Sequence, residues 1–133
     1  MGNGNVGIGC TDTKGYKFAV AGGAIFTKVT VKAVPWPDYV FHTNYSLRSL
    51  SEVEQYINNH HHLPDVLSAV EVEKNGLDVG DNQATLLKKI KELALYVIEQ
   101  NKKIEALEKE VRSSKKRLNN KYLSHTHKFS LRN

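Results

Sequence analysis

The chain has 133 residues, 40% of them hydrophobic and 25% charged, a balance that argues for an ordered soluble protein and against a disordered or membrane-embedded one. No run of eighteen apolar residues occurs, the opening Met1-Gly2-Asn3-Gly4-Asn5 lacks the segments of a secretory signal, and Val6 stands where myristoylation needs a hydroxyl. The net charge of +5 is unevenly placed: all 14 acidic residues lie at or before Glu110, while seven of the 19 basic ones follow it, so a slightly acidic body leads into a basic tail.

The first 33 residues are glycine-rich and then alternate in polarity, with Tyr16, Phe18 and Val20 on one side and Ile25, Thr27, Val29 and Val31 after Ala21-Gly22-Gly23. They predict two short strands around a glycine turn. A lone two-stranded pair is marginal in water, so partner strands are expected from other copies. Gly4-Asn5-Val6-Gly7-Ile8-Gly9 is not a nucleotide loop, since no strand is expected before it and no helix after it. Cys10 is the single cysteine, which rules out an internal disulfide.

Val34-Pro35-Trp36-Pro37-Asp38 is expected to interrupt regular structure, because each proline lacks a backbone donor and pushes its predecessor towards extended geometry. Beyond it, Ser51-Glu52-Val53-Glu54 reads as a capping box opening a helix with Val53, Tyr56 and Ile57 on one face and Pro64 at its end. Ser68-Ala69-Val70-Glu71 reads as a second box, with Asn75-Gly76 as the stop.

From about Asp81 the apolar spacing becomes three and four. With Gln83, Ile90, Val97, Ile104, Val111 and Leu118 at a, the d positions are Leu86, Leu93, Gln100, Leu107 and Ser114. Lys103 at g then faces Glu108 at the next e, and Glu110 faces Lys115, so a parallel in-register coiled coil makes both interchain pairs attractive. Such a helix, about 50 Å long at 1.5 Å per residue, is too long to be covered by the small remaining body and needs partner helices. β-branched residues at a with leucine at d favour two strands, whereas Gln100 and the early widening by Leu87, Ala94 and Ile98 favour three, so the pattern leaves dimer and trimer open. Four regions result: strands in 1–33, a proline-rich junction with two short helices in 34–80, the oligomerisation helix in 81–118 and the basic tail in 119–133.

Several of these segments together carry a resemblance. GNVGIGCT (4–11), YKFAVAG (16–22), PDYVF (37–41), SEVEQYI (51–57), HLP (62–64), EVEKNG (71–76) and the leucine-rich stretch 86–105 resemble the C-terminal region of tail-fibre-like proteins from phages and prophages of Bacteroidetes. The resemblance covers about four-fifths of the chain. It implies an α+β homotrimer: an intertwined β shaft, a small helical linker and a C-terminal bundle that nucleates assembly, located in the virion tail or outside the cell after release, having been made in the host cytoplasm. Related fibres end in a chaperone that cleaves itself with a Ser-Lys pair. Ser46-Leu47-Arg48-Ser49 lacks the Asp of that signature, no lysine occurs between Lys32 and Lys74, and no enzymatic activity is expected.

The remaining chemistry is sparse. Trp36 and Tyr39 suit either an interchain contact or a sugar-stacking surface for a host receptor or glycan. His60-His61-His62 is expected to close a helix, with neighbouring rings pointing apart. His125-Thr126-His127, if extended, puts two imidazoles on one face, and copies around an axis would suit iron, zinc or nickel. The basic tail has only Tyr122 and Phe129 among its cations, which predicts a solvated terminus without specific nucleic-acid binding.

Overall fold

A computed structural model describes the backbone of residues 4–130 and the side chains of residues 4–123. It is a mixed α+β chain of two compact units that divide between Lys32 and Ala33.

In the first unit, β1 (Val6–Ile8) pairs in parallel with β2 (Phe18–Val20), with Val6 opposite Phe18, Gly7 opposite Ala19 and Ile8 opposite Val20. Partners are thus twelve residues apart in sequence. Residues 9–17 return the chain through left-handed backbone at Gly9, Lys14 and Gly15. Asp12 holds that return, accepting from the Lys14 N–H at 2.8 Å and pairing with the Lys14 ammonium at 2.7 Å, which lowers its pKa. Gly7 is obligatory, since a Cβ there would stand 2.5 Å from the Cys10 carbonyl oxygen. The strand expectation is half corrected. β2 forms, but its neighbour is the glycine-rich opening, and residues 25–31 carry no strand. The two-stranded pair keeps an open edge on each side, and residues 25–31 add to neither of them. No residue from 4 to 32 is buried.

The second unit opens with a 3-10 turn, Pro37–Phe41, where the sequence predicted irregular chain. Pro37 occupies the first helical position, where a missing N–H costs nothing. α1 (Leu50–His60) is capped by Ser49 and not Ser51: Ser49 Oγ accepts from the Glu52 N–H at 3.2 Å, and Glu52 Oε2 accepts from the Ser49 N–H at 2.8 Å. It ends at His61, whose φ of 59° breaks the helix before Pro64 is reached. α2 (Ala69–Asn75) has the predicted Ser68–Glu71 box and stops at Gly76, with φ 77°. α3 (Val79–Ser130) starts two residues before the expected point and carries its helical backbone past Leu118 into the basic segment, spanning about 78 Å at 1.5 Å per residue.

The core of this unit is small. The 3-10 turn packs on α3, burying Pro37 and Val40, with Val40 only 1% exposed. Among the described residues Val40 is the one large hydrophobic side chain fully withdrawn from water.

The cap assignment is testable by thermal unfolding. Ser49→Ala is expected to cost about 1 kcal/mol of stability, as loss of an N-cap does, while Ser51→Ala, on the exposed first turn of α1, changes it by no more than a few tenths.

Candidate oligomerisation seam

Around an α-helix in heptad register the positions run a, e, b, f, c, g, d. The chain's own linker lies on the b, c and f side of α3 and reaches g. On the b side, Asp38 pairs with Lys91, whose ammonium sits 5.1 Å above the Phe41 ring. At c, Glu92 accepts from the Tyr45 hydroxyl, and at g the Tyr96 hydroxyl donates to the Arg48 carbonyl at 2.7 Å. Asp65, in left-handed backbone, receives Lys88 at 2.9 Å, Lys89 at 3.1 Å and Arg48 at 3.5 Å, and Lys89 also reaches Glu92 at 2.8 Å.

Electrostatics follow this geometry. Hydrogen bonding from Lys88, against the opposing effect of burial, lowers Asp65 to a pKa of about 2, with Lys89 adding to the effect. Burial and the Glu92 carboxylate push the Tyr45 phenol far above its usual range. Burial disfavours the charged form of Lys89, yet Glu92 and Asp65 outweigh it and its pKa rises.

The opposite side of α3 is uncovered. Leu86, Ile90, Leu93, Val97, Ile104, Leu107, Val111 and Leu118 are between 42% and 67% exposed, and Gln100 is exposed with them. The predicted a and d residues therefore share one continuous face that no part of the described chain touches closely enough to bury. From Val97 to Ser113 every position of the helix is exposed. Ile98, at b, is half exposed just past the turn covered by the 3-10 segment. Lys103 pairs within the helix, to Glu99 at 2.6 Å, whereas Glu108, Glu110 and Lys115 form no ion pair among the described residues.

Other predicted residues fall as follows. Trp36 is half exposed, and the Tyr39 ring lies 6.0 Å from that of Tyr45. The His60-His61-His62 run behaves differently from expectation, because the left-handed His61 folds His62 back: the His60 and His62 rings lie 6.1 Å apart and both meet Tyr56, at 4.3 and 5.5 Å. The Nδ1 of His62 also contacts the Leu63 carbonyl at 3.0 Å. The side chains of His125 and His127 lie outside the described residues. Their backbone is helical, where the shared-face expectation supposed an extended strand. Among the described residues no three His, Cys, Asp or Glu side chains cluster as metal ligands, and no helix is long and apolar enough to cross a membrane.

Sequence reasoning missed the network on Asp65 entirely. Its visible trace is the charged run Lys88-Lys89-Ile90-Lys91-Glu92, whose ionic residues avoid a and d but name no partner. Comparison of the chain with protein-family models, curated proteins and solved structures finds no match to any of them.

The Asp65 network sets an acid limit. A carboxylate whose folded pKa lies below its unfolded value of 3.8 contributes stability above that value and loses it as pH falls towards 2. Because Asp65 and Arg48 are partly exposed, solvent screens the pairs and the contribution is about 1 kcal/mol. Asp65→Asn, which keeps a side chain tolerant of left-handed backbone, is expected to lower stability by about that amount at pH 7 and to flatten its decline between pH 4 and pH 2 in denaturant titrations.

Proposed function

We propose that the chain is a structural self-association module, a trimerisation and folding-nucleation segment at the C-terminal end of a phage-type tail fibre. One observation carries the reading: the chain's own linker occupies the back of α3 and leaves a largely aliphatic a/d face, interrupted at Gln100 and Ser114, open along the helix. Completing the burial of each such side chain is worth about 1 kcal/mol per chain, roughly half the value for a fully exposed one. Parallel pairing unites all eight aliphatic positions, and Gln100 fixes the register, since a slipped neighbour leaves its amide unpaired.

The open ends of the strand pair fit the same reading. Val6, Ile8 and Phe18 are each more than half exposed, and residues 25–31 present Ile25, Phe26, Val29 and Val31 to solvent. Strands from other copies would bury these residues in a shaft, with the coiled coil holding the chains in register while it forms. The trimer count comes from the tail-fibre resemblance, as does a virion or extracellular location.

A receptor-binding tip is the second reading. An open groove of about 320 Å³, lined by Pro35, Pro37, Tyr39, Asp81 and Thr85, lies on the back of α3 away from the seam, beside the exposed Trp36. Loss of glycan-array binding in Trp36→Ala with the oligomer intact would favour that role.

The association reading is tested by replacing Ile104 and Leu107 together with Asp and measuring mass by sedimentation equilibrium. The double variant is expected to be monomeric, because every copy would carry two carboxylates into the buried seam. An unchanged oligomer would sink the proposal.

A further inference from the structure

Beside the seam, α1 and the segment after it leave a cleft of about 70 Å³ against α3. Val53, Leu63 and Pro64 form one wall, Leu93 and Tyr96 the other, with the Lys89–Glu92 pair below. This volume exceeds the roughly 10–15 Å³ that one water needs on the same measure, yet the exposed lining is almost wholly carbon, and water there would lack the two to four polar partners it needs. The cleft suits an aliphatic side chain. On α3 it is lined at c, g and d, by Glu92, by Lys89 and Tyr96, and by Leu93.

The same helix carries an unexplained apolar strip on its other flank. Leu87 and Ala94 at e and Ile98 at b lie outside the a/d seam, and Ile98 remains half exposed because the 3-10 segment covers only the turn below it. In a parallel coil, whether of two chains or three, the g flank of each helix faces the e flank of its neighbour. Position b lies just beyond e, and c just beyond g. The cleft of one copy and the strip of the next therefore meet at the same height.

We propose that Ile98 of one copy, with Ala94 beside it, seats in the cleft formed by Val53, Leu63 and Leu93 of the adjacent copy. Continuity selects a second copy as occupant: Leu93 is at once a wall of the cleft and a d residue of the seam, so anything filling the cleft touches whatever pairs with the seam. The proposal also explains why the apolar stripe is broad up to Ile98 and narrow beyond it. Above that level no linker remains for a broad stripe to pack against. The linker becomes a collar that grips the neighbouring helix, and each cleft is incomplete without another chain. This inference rests on the parallel seam proposed above.

Paired cysteines separate the two ideas. In a Cys10→Ser background, chains carrying Ile98→Cys are co-expressed with tag-lengthened chains carrying Leu63→Cys or Val53→Cys, oxidised gently and weighed intact. A disulfide requires Cα atoms within about 7 Å, so docking is expected to yield the mixed-mass disulfide dimer as the main product for at least one pair. Leu107→Cys alone, at a d position, is the control for the seam and is expected to cross-link to itself. If Leu107→Cys cross-links and neither mixed pair does, the cleft proposal is overturned while the seam stands. If Leu107→Cys also fails to cross-link, both fall.

Discussion

An apolar stripe that the chain cannot cover by itself governs the rest of this structure. α3 runs far beyond the linker, and only Val40 among the large hydrophobic side chains described is fully buried. Conformational entropy opposes ordering of every residue, and apolar burial is the main force available against it. A single copy withdraws very little apolar surface. A continuous part of what stays exposed lies on the a/d face, where each aliphatic residue is already partly shielded by the helix.

What keeps that face open is the character of the linker's own contacts. Asp38 to Lys91, Tyr45 to Glu92, Tyr96 to the Arg48 carbonyl and Asp65 to Lys88 and Lys89 are polar bonds that use residues at b, c, f and g of α3. Such contacts are directional, and each polar group has its partner on the back of the helix. Swinging the linker onto the seam would leave those groups unpaired against aliphatic carbon, at a cost of about 1–3 kcal/mol for each one buried. The charged run 88–92 thus does two things: it attaches the linker and holds it on the side of α3 away from the a/d residues.

Much of this was readable in the sequence, for a definite reason. Helical spacing and capping signals are local, so the long helix, the Ser68 box and the Gly76 stop needed no knowledge of the rest of the fold. The first cap was misread by two residues because Ser49-Leu50-Ser51-Glu52 and Ser51-Glu52-Val53-Glu54 both fit the same box, and only the backbone shows which serine is extended. β1 escaped because Gly7 and Gly9 weaken a strand signal, yet Gly7 is there to avoid the Cys10 carbonyl. The convergence of His60 and His62 depends on one left-handed residue that composition does not announce. The Asp65 network joins residues 17 to 24 positions apart, and charges in such a run do not reveal which of several carboxylates they meet.

The central claim, that this chain folds by association through the a/d face of α3, is tested most directly by the mass of the unaltered protein in solution. Light scattering coupled to gel filtration, repeated over a wide dilution series, reports it without reference to shape. The account predicts a species of three times the 15.0 kDa chain mass that persists on dilution and loses its helical signal when it finally dissociates. A stably helical particle of 15.0 kDa at every concentration would contradict it.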